Sequence, residues 1–311
     1  LGAAASHARL GLNLLERQDF DGAAAHLDQA AAILSQIAPA TYREARVFHG
    51  LAQVSLQQGD TNSAQGFFEK ALHALESQHA RLGGTQESKA ESRAKHRSIY
   101  QDYIDFLLEV GDEERAFEIL ERSRSKVLSD LLAERDLVFN KDLPVELERE
   151  RRMQASAYEK TQAKLLGAKG DENIAALRAE LEAIRRKQDD VRRRAREHSA
   201  SFVSLQENRP RSLPEIRATL APGTAVVSYS IGDESTRVFA LSPSGELRVE
   251  SIELGRAEIA DRVQRLRYLI DAGRWDETPA MPLNTLAEEL YAELLAPFDA
   301  YLGAASQILI V

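Results

Sequence analysis

Apolar and polar positions divide the chain into three stretches of different period. Up to about residue 136, apolar and small residues recur at intervals of three and four, as in helices that bury one face. From 137 to 209 the helical period continues, but most positions are charged. After Pro210, short apolar runs alternate with Gly and Pro, which is how strands joined by turns are written. The pattern predicts an α + α/β fold in three parts: helices over residues 1–136, a long charged helical hairpin over 137–209, and an α/β segment over 210–311.

The first stretch contains a self-similar element. RQDFDGAAAHLDQA from Arg17, QQGDTNSAQGFFEKA from Gln57 and EVGDEERAFEILERS from Glu109 share a Gly/Asp turn followed by small, apolar and small residues. Ala23, Leu27 and Ala30 make one set, Ala64, Phe68 and Ala71 the next, and Ala116, Leu120 and Ser123 the third, each confined to one helical face by its spacing. Leu10-Gly11, Leu51-Ala52 and Tyr103-Ile104 supply an apolar-small step where two helices of a hairpin cross. The unit resembles the tetratricopeptide repeat. Its intervals of 41 and 52 residues exceed the standard length of about 34 and predict lengthened helices in a divergent array. Chance matching of Ala-rich amphipathic helices is the competing account. A stack of helix pairs presents a concave surface for a peptide or partner helix, and Arg46, His49 and Gln53 fall on the face expected to line it. Solvated polar side chains explain those three equally well.

A packed helix is expected from Glu113 to about Arg135, with Ala116, Leu120, Val127 and Leu131 on its apolar stripe. LVFNKDLP interrupts the pattern at Pro144, and Gly167 and Gly170 in LGAKGDEN turn the hairpin, with Asp171 placed to cap its second arm. In that arm Ile174, Leu181, Gln188, Ala195 and Phe202 interleave with Leu177, Ile184, Val191 and His198 as an a/d seam. The first arm offers Leu147, Met153, Ala157, Leu165 and Leu166. Fourteen Lys and Arg stand against eleven Asp and Glu between Val145 and His198, and no aromatics separate the arginines from Arg192 to Arg196. A solvated coiled-coil face accounts for them better than a phosphate-binding tract.

The last stretch predicts a short helix capped by Ser212, a three-strand meander (TAVVSYSI, TRVFALS, ELRVESIEL), and two helices, Arg256 to Ala272 and Leu283 to about Leu302. The final run QILIV reads as a buried sheet strand whose neighbours lie in a longer polypeptide. Its composition, with the initial Leu, suggests that both ends are cuts.

Composition narrows the chemistry. The formal charge of -9 argues against a whole-chain field for nucleic acid or an anionic membrane. The chain has no Cys, hence no thiolate nucleophile, disulfide or thiolate metal site, and its seven His all precede residue 199. No G-x-S-x-G, Walker, G-x-G-x-x-G or H-E-x-x-H pattern occurs. No cofactor is expected, and with no apolar run of membrane-spanning length and no signal-like start, a cytoplasmic location is.

Four segments together resemble the CHAT proteases, caspase-like enzymes related to separase that accompany tetratricopeptide repeats. They are AFEILERSRSKVLSDLL, the charged hairpin, SLPEIRATLAPGTAVVSYSIGDESTRVFAL, and ELLAPFDAYLGAASQILIV. The resemblance implies that residues 210–311 are the first part of a caspase-like domain. It also implies a catalytic His after a PDG-type segment and a Cys closing a later strand, neither of them before Val311. The chain is then the regulatory part of a cysteine endopeptidase and holds no catalytic residue itself. Its repeats would bind a protein or peptide regulator or substrate, and its α/β segment the rest of the domain. A non-catalytic interaction scaffold with a degenerate domain is the alternative.

Overall fold

The computed structural model describes residues 2–37, 39, 41–79, 86–134, 144–167, 171–198, 212–271 and 280–311, and among these the pattern forms twelve helices and a four-stranded mixed sheet. The chain divides into two compact units, one of residues 1–103 and 123–209, the other of residues 104–122 and 210–311. Both boundaries in the helical half fall inside helices, where composition does not change. The expected segmentation keeps residues 104–122 with the N-terminal helices, whereas the compact units group them with the C-terminal segment.

The first unit begins with α1 (Gly2–Glu16), α2 (Phe20–Ile37), α3 (Tyr42–Gln57) and α4 (Thr61–His79), each packed on the next. Ala4, Ala23, Leu27, Ala30, Leu34, Val47, Leu51 and Val54 close a core among α1, α2 and α3. Small residues let the backbones approach: a Cβ added at Gly11 would stand 2.7 Å from Leu27 Cγ. Leu10, the apolar half of that expected crossing, is instead 45% exposed.

The turns into α2, into α4 and into α6 (Glu113–Glu134, after α5, Gln86–Glu109) are built alike. The amides of Gln18, Gly59 and Gly111 donate to the carbonyls three residues back, Leu15, Leu56 and Leu108, at 2.9–3.1 Å. The amides of Asp19, Asp60 and Asp112 reach five residues back, to Leu14, Ser55 and Leu107, at 2.8–2.9 Å. Each Asp Oδ1 then accepts from the amide three residues on, Gly22, Ser63 or Arg115, at 3.0–3.1 Å. This is the Schellman ending joined to an N-cap. For Asp60 the bonds from Ser63 hold the carboxyl below the ordinary aspartate range. The pivot residue is left-handed in all three turns, with φ of 62° at Gln18, 76° at Gly59 and 79° at Gly111. Only Gln18 has a Cβ to strain there. Gln18→Gly should stabilise the first hairpin by about 0.5–1 kcal/mol, read as a higher urea midpoint at unchanged m; a lower midpoint would refute the strain.

The hairpin consists of α7 (Val145–Gly167) and α8 (Asp171–His198). Leu177, Leu181, Ile184, Val191 and Ala195 of α8 are buried as the heptad pattern requires. The α7 seam differs from expectation. Leu147 is buried, but Met153 is 54% exposed, and Tyr158 and Thr161 fill the interface instead. Thr161 Oγ1 donates to Glu180 at 3.0 Å and the Tyr158 hydroxyl accepts from the Arg185 guanidinium at 3.3 Å, so the tips of these two side chains are bonded while the Tyr158 ring packs on Leu181 and Ile184. Burial pushes the Glu148 carboxyl up, and bonds from Arg151 and Arg152 more than reverse that. Arg193 pairs with Asp190 and Glu197, and Arg194 with Glu150 on α7, so the described part of the arginine tract is engaged with acids of its own hairpin. Val127, assigned to the stripe of α6, is 46% exposed, while Phe117 and Ile119 of that helix are buried. Phe202, the LGAKGDEN turn between Gly167 and Asp171, and the side chains of Leu131, Leu166, Arg192, Arg196 and His198 lie outside the described residues.

In the second unit α9 (Leu213–Thr219) starts at a capping box in which Ser212 and Glu215 bond each other's backbone amides. The sheet runs in the order β3 (Leu247–Ile252), β2 (Thr236–Leu241), β1 (Thr224–Ile231), β4 (Gln307–Ile310). The first three form the expected antiparallel meander, and β4 joins β1 in parallel, Thr224 opposite Gln307 and Val227 opposite Ile310. Between β3 and β4 come α10 (Arg256–Asp271), α11 (Ala280–Leu294), a 3-10 turn (Ala296–Phe298) with Pro297 in its first positions, and α12 (Asp299–Leu302); the expected linker GRWDETPAMP is described only from Ala280.

One sheet face, with Ala225, Val227, Val238 and Ala240, packs on Phe298 and Leu302. Tyr229 joins that layer and donates its hydroxyl to Leu294 O at 2.9 Å; burial pushes the phenol up to about 12. On the other face Phe239 meets Phe117 of α6, ring centroids 5.9 Å apart, and Arg237 reaches Asp105 of α5 at 2.9 Å. Glu118 also accepts from the Leu213 amide at 3.3 Å, and Glu114 pairs with Arg217 at 3.7 Å. Residues 104–122 are thus a layer of the α/β unit.

The expected burial of the final strand is not found. Ile308, Leu309, Ile310 and Val311 are 39–61% exposed, because β4 stands at the sheet edge with a neighbour on one side only among the described residues. Val311 nevertheless continues the pairing, its amide donating to Val227 O at 2.9 Å.

Candidate functional site

Arg46, His49 and Gln53 share one face of α3 because their spacing is three and four residues. Thr41 starts this helix by accepting from the Glu44 amide at 3.3 Å, and Ala45, Leu51, Ala52 and Val54 turn its other faces into the core. Glu44, buried at the same end, accepts from the Ser35 hydroxyl at 2.7 Å.

Two of the three named side chains converge on a residue that periodicity did not single out. His49 Nε2 lies 2.7 Å from Asp102 Oδ2, and Gln53 Nε2 donates to the same oxygen at 3.2 Å. Against a carboxylate, Nε2 carries the proton. Asp102 stands on α5 next to Tyr103, whose fully buried ring stacks on Phe68 at 5.0 Å; His49 in turn lies 6.0 Å from Phe68. Tyr103 and Tyr100 donate their hydroxyls to Glu69 and Glu76 of α4, each at 2.7 Å. Aromatic bodies and carboxylate tips thereby join α3, α4 and α5 along one face.

The arrangement sets a ring nitrogen of His49 and the side-chain amide of Gln53 on one carboxylate oxygen, and the chain has no Cys to supply a thiolate beside them. The His49 side chain is 14% exposed and that of Asp102 38%, so the pair is partly committed to holding helices together, while Arg46 on the same face is exposed. Asp102→Ala should cost about 1–2 kcal/mol by leaving His49 and Gln53 without their shared acceptor. A double-mutant cycle with His49→Ala checks this: additivity within about 0.3 kcal/mol would show that the bond carries no coupling.

Asp102 was hard to find from sequence, because its acceptor role needs a helix 49 residues away in the chain; its one local signal is adjacency to the Tyr103-Ile104 crossing. Among the described residues no group of three or more His, Asp or Glu converges as a metal site, and no helix is long and apolar enough to cross a membrane. No protein-family model matches the chain, and neither a curated protein nor a solved structure matches it.

Proposed function

We propose that this chain is the regulatory and N-terminal part of a CHAT-type cysteine endopeptidase. Its tetratricopeptide-like helix pairs take a regulatory partner or substrate peptide, and its α/β unit is the first part of a caspase-like domain whose His/Cys dyad lies beyond these residues. The observation that carries this reading is β4: a parallel, apolar strand at the sheet edge among the described residues, with 39–61% exposure over Ile308–Val311, the condition of a sheet that takes further strands. Three turns with one hydrogen-bond plan support the repeat reading, and exposed Arg46 beside the His49–Asp102–Gln53 cluster supplies a polar contact for a partner.

The test is peptide cleavage by the product of the complete reading frame, with and without iodoacetamide, beside the 311-residue chain alone. The expected result is cleavage that the alkylator abolishes and none from the chain alone. Cleavage insensitive to alkylation, or a complete product with no activity on any denatured substrate, would overturn the protease reading. The second outcome would favour the alternative of a non-catalytic scaffold with a degenerate domain.

A further inference from the structure

His7 of α1 and His26 of α2 bring their Nδ1 atoms to 3.0 Å, with ring centroids 5.2 Å apart and planes inclined by 30°. Both rings are half-buried, and the two helices around them are composed largely of Ala, Gly and Leu. The two helices therefore present a pair of imidazole nitrogens to each other in a setting otherwise poor in ligands.

Two imidazoles bound to one ion at 2.0–2.1 Å are separated by about 2.9 Å when they subtend 90° and by about 3.4 Å at the tetrahedral angle. The observed separation lies within that span. Imidazole selects borderline ions over hard ones, and affinity rises along the series toward Cu2+. We infer that His7 and His26 form a two-imidazole site for a divalent transition ion, Cu2+, Ni2+ or Zn2+, which staples α1 to α2. Because no third His, Asp or Glu converges there among the described residues, water completes the coordination and the ion exchanges freely. The site lies in the first helix pair, so occupancy would stiffen that pair without touching the chemistry proposed above.

A hydrogen bond between the two rings uses the same approach, and the experiment must separate the two. The 311-residue chain, stripped with EDTA, is melted alone and with a hundredfold excess of Cu2+, Ni2+, Zn2+ or Mg2+. The expected result is a rise of about 2–5 °C with the three transition ions and none with Mg2+. His7→Gln and His26→Gln should each abolish the rise, although His49, His73, His79, His96 and His198 remain. Gln can still hydrogen-bond the surviving imidazole, which keeps the pair's structural contribution largely intact. The Cu2+ electron paramagnetic resonance spectrum should show two equatorial nitrogens in the parent chain and fewer in either variant. No rise with any of the three ions, or a rise that both variants retain, would overturn the inference.

Discussion

Truncating Leu27 to Ala is expected to lower the stability of the first unit by about 3 kcal/mol, among the costliest single changes available there. Leu27 is fully buried, and two glycines from its neighbours face it: a Cβ built on Gly11 would lie 2.7 Å from its Cγ, and one on Gly50 3.1 Å from its Cδ1. The side chain fills space that α1 and α3 leave by having glycine at positions 11 and 50. Removing its isobutyl group opens a void bordered by backbone, which collapses poorly. The same geometry predicts coupling between the two sites. Gly11→Ala should destabilise the parent chain, because the new methyl collides with Leu27 Cγ and Cδ2, and should cost Leu27→Ala about 1 kcal/mol less, since those atoms are gone while the 3.1 Å approach to the Leu27 amide nitrogen stays. Urea unfolding of the four proteins checks both; additive effects would show that Gly11 and Leu27 do not compete for the same space.

Phe239→Ala should cost the second unit about 3–5 kcal/mol. The ring is fully buried at the centre of β2 and meets Phe117, which is 1% exposed, in a tilted contact of 5.9 Å. The location of the damage is as informative as its size. Residues 104–122 belong to the α/β unit through Phe117, through Asp105 bonded to Arg237, and through Glu118 bonded to the Leu213 amide. Hydrogen exchange in Phe239→Ala should therefore speed up at residues 113–122 together with the strands, while amides of α1–α3 keep their protection. Unchanged exchange at 113–122 would mean that this segment draws its stability from elsewhere.

The polar side-chain clusters named above form where helices meet. His49 and Gln53 can be placed on one face of α3 from spacing alone, but their common acceptor, Asp102, belongs to another helix. His7 and His26 are unremarkable on their own helices and become a pair only when α1 and α2 pack. The exposed apolar β4 and the clustered polar face of α3 are the two surfaces on which the proposed function depends, and they can be altered separately. In the proposed function Arg46 and His49 would bear on the partner, and Ile308 and Ile310 on the strands that would extend the sheet.

What the sequence determined by itself was whatever depends on near neighbours in the chain. Helical periods located α1 to α8, the Gly/Asp turns placed the hairpins, Ser212 and Glu215 capped α9, and the spacing of turn residues set the meander of β1 to β3. Each rests on interactions spanning at most a few residues, so each leaves a local pattern. Tertiary structure decided the rest. It exposed Met153 and Val127 and buried Tyr158 and Thr161 instead, because a partner helix covers positions according to its own side chains. It joined residues 104–122 to the sheet through Phe117 and Asp105, although their composition matches that of the helices before them. It also set QILIV at an exposed edge, since burial of a strand depends on which strands and helices lie beside it and not on its own apolar side chains.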